Sequence, residues 1–153
     1  MSRIEKSLKA KEIAFCAFLD IEGAFDNANF GSMINAMRKK QFESCIVNWI
    51  QTMLANREIT SELGGSSISV KATKGCPQGG VLSPLLWFLV VDDLLNSLEE
   101  KGFEVMGFAD DIVIRVRGKF NNVISDRMQT ALNFTLSWCN EEGLNIKGSR
   151  CHA

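Results

Sequence analysis

The stretch that most restricts how this chain can fold is Gly107-Phe108-Ala109-Asp110-Asp111-Ile112. Its two adjacent aspartates separate two short apolar runs, residues 104–108 and 112–116. Apolar runs joined by so short a polar connection predict a β-hairpin with acids at its tip. Asp is also a common turn residue, so turn chemistry alone is an alternative explanation for at least one of the two acids.

A third carboxylate, Asp20, ends another apolar run. The segment 14–21 is short, nearly all apolar and ends at acids, which is typical of a buried central strand. Two carboxylates about 4 Å apart repel by roughly 4 kcal/mol at an effective dielectric of about 20, so a fold that gathers such acids needs cations. Carboxylate oxygens suit Mg²⁺ or Mn²⁺, and two such ions about 3.5–4 Å apart serve phosphoryl transfer. If the two segments are neighbouring strands, Asp20, Asp110 and Asp111 form such a site.

The remaining sequence predicts alternating helices and strands. Apolar residues at helical spacing, with Ser83-Pro84 and Asn121 or Asn122 as helix starts and Gly143 as a stop, predict helices over about 2–12, 30–40, 43–55, 83–99 and 121–142. Two weakly alternating segments, 57–63 and 68–73, predict a hairpin, and 144–147 forms a short strand at most. This order indicates an α+β fold, an antiparallel sheet with helices on one face, close to a split βαβ arrangement.

Length and composition set broad limits on the function. The 153 residues fit one domain, residues 1–153, and the net charge of -1 gives no global attraction for nucleic acid. Five scattered cysteines without a C-x-x-C pair support neither a zinc site nor a disulfide framework and indicate a reducing compartment. The longest apolar run, residues 85–91, is too short to span a bilayer, and the N-terminus is polar and charged. We expect an intracellular protein, cytoplasmic or nuclear or both, that is not secreted and has no membrane partner.

Three segments resemble successive signature blocks of reverse transcriptases, most closely those of non-LTR (LINE-type) retrotransposons of insects. The blocks are Phe-Leu-Asp-Ile-Glu-Gly-Ala-Phe-Asp at 18–26, Gly-Cys-Pro-Gln-Gly-Gly-Val-Leu-Ser-Pro at 75–84 and Gly-Phe-Ala-Asp-Asp at 107–111. They stand in the family's order with suitable spacing, and the resemblance extends from about Ile4 to Asn145. It implies the palm of a right-hand polymerase, a ferredoxin-like split βαβ sheet, which agrees with the α+β order.

The resemblance also implies a catalytic site. Asp20, Asp110 and Asp111 match the family's catalytic metal ligands, with Asp111 the weaker one, and the carbonyl of Ile21 is a further ligand. Phe25 matches the aromatic residue under the sugar of the incoming nucleotide, where a bulky ring leaves no room for a 2′-hydroxyl. The alternative is that Phe25 simply packs in the core, as most Phe residues do.

The second block implies a nucleotide contact. Gln78 and Gly79 match residues that contact the incoming nucleotide and the template, and glycines at 75, 79 and 80 permit close backbone approach. A plain turn before a helix is the alternative, but it gives Gln78 no role. We interpret Asp26 as structural, bonding its own turn, and Phe108 as a replacement for the tyrosine that is commonest before the acids.

The activity implied by the resemblance is RNA-directed DNA synthesis during retrotransposition. The implied enzyme transfers dNTPs to a primer 3′-hydroxyl and releases pyrophosphate. Its cofactors would be two Mg²⁺ or Mn²⁺ ions, and its partners an RNA template, a DNA primer and dNTPs. The family usually continues with Asn-Pro, a spacer and Lys-Thr, whereas this chain reads Lys-Gly-Ser-Arg-Cys-His-Ala at 147–153. Arg150 falls where that lysine stands, and an always-charged guanidinium is a poor proton donor.

From these ends we expect a palm fragment truncated on both sides, without most of the fingers and all of the thumb, and catalytically silent alone. A non-catalytic palm remnant, binding a partner or without function, is an alternative that the lack of net positive charge favours. Another palm-type enzyme, such as a nucleotide cyclase, is disfavoured by the Pro-Gln-Gly block at 77–79.

Overall fold

The computed structural model describes residues 13–77 and 79–152, with side chains up to residue 148. The helix expected over 2–12 and the predicted nucleotide contact of Gln78 lie outside these residues. The described chain divides into two compact units, one made of residues up to 22 and from 91 onward, the other of residues 23–90. No helix within the described ranges is long and apolar enough to cross a membrane.

The first unit contains an antiparallel sheet of four strands. These are β1 (Ile13–Glu22), β4 (Glu104–Phe108), β5 (Asp111–Gly118) and β6 (Asn145–His152), in the spatial order β4-β5-β1-β6. Strands β4 and β5 form the predicted hairpin, and β5 pairs with β1 from Ile13 opposite Gly118 to Asp20 opposite Asp111.

Helices cover one face of this sheet. The alternate β5 residues Ile112, Ile114 and Val116 are buried, whereas the residues between them are partly exposed. Helix α5 (Asn121–Glu142) packs on β5, β1 and β6 through buried residues on one side: Ile124, Met128, Ala131, Thr135 and Cys139. Helix α4 (Ser83–Glu100) approaches the same face, since a Cβ at Gly107 would lie 3.1 Å from Leu95. The predicted α+β fold, with helices on one face of an antiparallel sheet, is confirmed.

The second unit consists of helices and a hairpin before the first turns of α4. Its elements are α1 (Ala24–Asn27), α2 (Phe30–Lys39), α3 (Ser44–Ala55), β2 (Glu58–Leu63) and β3 (Ser66–Lys71). In the β2–β3 pairing, Ile59 lies opposite Val70 and Ser61 opposite Ile68. Ile59, Leu63, Ile68 and Val70 therefore share one side, the apolar hairpin face, and are 60–85% exposed.

Three helices end in the same hydrogen-bonded turn. A residue with positive φ follows each helix: Gln41 (58°) after α2, Gly102 (81°) after α4 and Gly143 (70°) after α5. The next N–H donates to a carbonyl five residues back, a Schellman motif, in the pairs Phe42–Met37, Phe103–Leu98 and Leu144–Cys139. Of these three turns, the one after α2 alone has a residue with a side chain at the left-handed position, which favours glycine.

Several predicted details are wrong. Strand β6 runs for eight residues rather than over 144–147, because pairing with β1 extends it through residues of low β propensity. Helix α5 has Phe120 at its N-cap, with no side-chain cap hydrogen bond, so neither Asn121 nor Asn122 caps it. Leu85, which belongs to the apolar pattern of the predicted 83–99 helix, is 47% exposed rather than buried.

Candidate active site

The sheet brings two of the predicted acids together. Asp20 on β1 lies directly opposite Asp111 on β5. Directly opposed residues of an antiparallel pair project from the same face, with Cβ atoms about 4.5–5.5 Å apart. Asp111 is exposed and Asp20 partly exposed, so both carboxylates have access to solvent. The two apolar segments are thus neighbouring strands, with their acids at the same end of the sheet.

The third acid, Asp110, lies in the tight turn of the β4–β5 hairpin. Phe108 pairs with Asp111, so the loop consists of Ala109 and Asp110 alone. Ala109 has a φ of 54°, a left-handed conformation that costs an alanine about 1 kcal/mol. The carbonyl of Asp110 accepts a hydrogen bond of 3.2 Å from the N–H of Ile21. The backbone therefore ties the turn to the residue that follows Asp20.

These acids lie close together but do not form a complete metal-binding site by themselves. Within 13–77 and 79–152, no three His, Cys, Asp or Glu side chains are grouped closely enough to hold a metal ion. The donor chemistry nevertheless fits a hard cation, because opposed like charges such as Asp20 and Asp111 are destabilising by themselves. Mg²⁺ typically binds one or two carboxylates and completes its shell with water and substrate phosphates. An open pair of carboxylates is compatible with that kind of binding.

The second unit holds Phe25, which both makes a core contact and remains partly exposed. Phe25 lies in α1, and its ring centroid is 6.1 Å from that of the buried Trp87, with the rings tilted by 46°. The backbone N–H of Asp26 donates to the carbonyl of Gly23 at 2.9 Å, a bond that does not involve the side chain, so the structural role of Asp26 stays a prediction.

The loop that precedes Gln78 is fastened to the α1 turn. The N–H of Gly75 donates to the carbonyl of Ala28 (2.8 Å), and that of Cys76 to the carbonyl of Phe25 (2.6 Å). Gly75 has a φ of 83°, and a Cβ there would lie 2.5 Å from the carbonyl oxygen of Asp26, so only glycine fits. Gly79 also has a positive φ, 75°, but open space where a Cβ would be.

Side chains strengthen this attachment, and the sequence pattern did not indicate the main one, Arg57. Arg57 Nη1 donates to the carbonyl of Gly75 at 2.5 Å, and Lys74 Nζ to Asn27 Oδ1 at 2.7 Å. Ser83 Oγ donates to the carbonyl of Pro77 at 2.5 Å. The available signal was an arginine directly between a helix and a hairpin. Burial raises the pKa of the Cys76 thiol to about 11 despite the nearby Arg57 charge, so this cysteine is no nucleophile at neutral pH.

Comparison of the sequence with known protein families identifies a match. A family model for "Reverse transcriptase (RNA-dependent DNA polymerase)" matches residues 2–153. The chain is 28% identical to the Pol polyprotein of the type-1 retrotransposable element R2 of Nasonia vitripennis, over 97% of the chain and 15% of that protein. It is 24% identical to the RNA-directed DNA polymerase from mobile element jockey of Drosophila melanogaster, over 95% of the chain and 16% of that protein. The chain thus spans about one sixth of these relatives.

Solved structures show the same fold at low identity. Apo telomerase from Candida tropicalis, truncated from its C-terminal domain, matches with a TM-score of 0.70 and 13% identity over 98% of this chain and 33% of that one. Telomerase from Candida albicans in complex with a fragment of telomeric RNA matches with a TM-score of 0.69 and 12% identity, over 99% and 30%. The resemblance to insect non-LTR elements is confirmed by the R2 and jockey relatives. Since the family model covers nearly the whole sequence, the chain belongs to the reverse transcriptase family.

Proposed function

We propose that this chain is the palm, residues 1–153, of an RNA-directed DNA polymerase that serves retrotransposition of a non-LTR element. The observation that carries the proposal is the register of the sheet, which sets Asp20 opposite Asp111 with Asp110 in the adjoining two-residue turn. The reaction would transfer a dNTP to a primer 3′-hydroxyl opposite an RNA template. The family match supports this reaction class.

The acidic end of the sheet would hold the metal. Asp20, Asp110 and Asp111, with the main-chain carbonyl of Ile21, are the residues we assign to two Mg²⁺ or Mn²⁺ ions. When bound, these ions supply the positive charge that stabilises the transferring phosphoryl group. The chain itself holds these residues in position. The hydrogen bond from Ile21 N–H to the Asp110 carbonyl holds the turn, and the pairing of β1 with β5 keeps Asp20 opposite Asp111.

The second unit would supply the nucleotide contacts. We assign Phe25 to the sugar of the incoming nucleotide, where its ring excludes a 2′-hydroxyl, and Gln78 and Gly79 to the nucleotide and template. The fastening of Gly75 and Cys76 to the Phe25 turn supports this assignment, because it sets the backbone before Gln78 beside Phe25. Contact between Phe25 and Trp87 supplies the ring with a fixed neighbour.

Metal binding is the direct test. Calorimetric titration of the chain with MnCl₂ should show binding that Asp20→Asn and Asp110→Asn each weaken at least tenfold, about 1.4 kcal/mol, because each removes a charged ligand. Asp126→Asn, on the exposed side of α5, makes the same charge change elsewhere and should bind Mn²⁺ like the parent. Equal affinity in all four proteins would refute the shared acidic site.

A non-catalytic palm remnant is the second candidate, favoured by the lack of a three-ligand group in the described part of the chain. In either case we expect the 153-residue chain alone to extend primers at background level. Near-attack geometry is worth roughly 7–11 kcal/mol when fully realised, and a chain of net charge -1 holds nucleic acid weakly. Mg²⁺-dependent extension on an RNA template, abolished by Asp110→Asn, would show that expectation to be wrong. We place the activity in the cytoplasm or nucleus, where RNA templates are available.

A further inference from the structure

A cavity of about 300 Å³ opens at the end of the sheet away from the acids. It is lined by Gly102, Glu104, Arg115, Val116, Arg117 and Arg127. Three arginines against one glutamate give the lining a charge of +2, in a chain whose formal net charge is -1. The lining therefore concentrates positive charge at one place on an otherwise slightly acidic molecule.

The arginines of this cavity are held in position. Arg115 Nε donates to Glu104 Oε2 at 2.8 Å, and Arg117 pairs with the other oxygen of the same carboxylate. Arg127 Nη2 donates to the carbonyl of Gly102 at 3.0 Å, with its guanidinium over the Phe103 ring at 5.5 Å. Side chains already ordered in this way lose little further entropy when they bind an anion.

Two of the three arginines share a face of the sheet with the acidic end, whereas Arg127 is on α5, which packs on the other face. Arg115 and Arg117 follow Asp111 on β5 at even spacing, so all three project from the side of the sheet that the helices leave open. At about 3.3 Å per residue they lie roughly 13 and 20 Å along the strand from Asp111. Phe18, 46% exposed and paired with Val113, lies between the two ends.

We propose that this arginine cavity binds phosphate groups of a single-stranded nucleic acid that reaches it along the open face of the sheet. Arginine forks match phosphate oxygens with paired hydrogen bonds. Glu104 has two effects: it holds Arg115 and Arg117 in place, and it competes with the incoming phosphate for them. The choice of nucleic acid over another polyanion rests on the proposed function.

The test is fluorescence anisotropy with a labelled 12-nucleotide single-stranded RNA at several salt concentrations. The double variant Arg117→Gln/Arg127→Gln should bind more weakly and lower the slope of log affinity against log salt by about 1.4, since each lost phosphate contact contributes about 0.7 on a single strand. Lys39→Gln/Lys40→Gln, at the end of α2, removes the same charge elsewhere and should lower the slope less.

A second variant gives an effect of opposite sign. Glu104→Gln should tighten RNA binding severalfold because it removes the competing carboxylate, whereas Glu62→Gln on the exposed β2 strand, with the same change in net charge, should tighten it less. An ion-pair network with a purely structural role predicts lower stability in Glu104→Gln and no difference from Glu62→Gln in binding.

Several outcomes of these binding measurements would refute the proposal. It is overturned if the parent does not bind the RNA, if the cavity and control variants behave alike, or if octaglutamate binds through these arginines more tightly than RNA. Arginine-dependent binding of inorganic pyrophosphate with unchanged RNA affinity would identify a free-phosphate site instead. Asp110→Asn should leave the RNA salt slope unchanged, so loss of Mn²⁺ binding and loss of RNA binding remain separable failures.

Discussion

The opposed acids predict a stability effect whose sign depends on metal. Asp20 and Asp111 face each other across β1 and β5, with Asp111 exposed. For charges about 5 Å apart, Coulomb's law gives roughly 0.8 kcal/mol of repulsion in water and roughly 3 kcal/mol at an effective dielectric of 20. Because Asp111 is exposed, the lower figure applies, and cross-strand pairs in proteins contribute about 0.2–1 kcal/mol.

The perturbation is Asp111→Asn, which removes one charge and nearly keeps the shape. In EDTA and low salt, the variant should be more stable than the parent by about 0.5–1 kcal/mol. In Mn²⁺ at about 100 times the dissociation constant, the parent should gain about 2.7 kcal/mol while the variant gains less. The order of stability should therefore invert when Mn²⁺ is added.

Urea unfolding in EDTA and in MnCl₂ measures both differences. With a slope of about 1–3 kcal/mol/M, the EDTA difference corresponds to a midpoint shift of a few tenths of a molar. Asp126→Asn serves as the control, since its carboxylate is on the α5 helix rather than on a strand opposite another acid. Repulsion between Asp20 and Asp111 is refuted if Asp111→Asn destabilises the chain in EDTA. A shared metal site is refuted if Mn²⁺ stabilises parent and variant equally.

Three further predictions concern other parts of the molecule. Gln41→Gly should stabilise the chain by about 0.5–1 kcal/mol in urea unfolding, because glycine readily adopts the left-handed φ that Gln41 holds. The control Gln51→Gly, inside α3, should destabilise the chain by about 1 kcal/mol, and a loss of stability in both variants would contradict the prediction. Arg57→Lys should speed amide hydrogen exchange at Gly75 and Cys76, because a lysine cannot reproduce the guanidinium contact with the Gly75 carbonyl. Arg38→Lys should leave this exchange unchanged, and unchanged exchange in Arg57→Lys would show that Arg57 does not hold the loop. Burial raises the pKa of Glu104, but hydrogen bonds and charge from Arg115 and Arg117 outweigh burial and lower this pKa below 4.5. The stability that the Glu104 carboxylate adds is therefore present above pH 4.5 and is lost as the pH falls through the lowered pKa. Parent and Glu104→Gln should then differ in unfolding midpoint at pH 7 and converge in acid.

Local patterns predicted most of the first unit. The apolar runs around the two adjacent aspartates specify the β4–β5 hairpin, and Gly143 specifies the end of α5 because glycine favours its left-handed φ. Ala109 was not predictable in this way, since its positive φ is imposed by a two-residue connection and by the tie from Ile21 to Asp110.

Long-range contacts determine what the patterns missed. The second half of β6 is a strand because β1 lies beside it, and Arg57 acquires its role from Gly75, eighteen residues away. The opposition of Asp20 and Asp111 is also long-range, and it was expected only on the condition that the two strands are neighbours. A sequence shows which residues end a strand, but pairing decides which of those ends meet.

The apolar hairpin face has a consequence for the behaviour of the purified chain. Among the residues that the structure describes, strands β2 and β3 pair only with each other, so each has an open backbone edge. Both strands carry exposed branched side chains without an intervening proline. Isolated two-stranded ribbons of this kind are marginally stable and are templates for edge-to-edge association. Concentrated solutions of this chain should therefore self-associate through the hairpin, and Ile68→Lys, which places a charge on the apolar side, should raise the concentration at which particles first appear in light scattering.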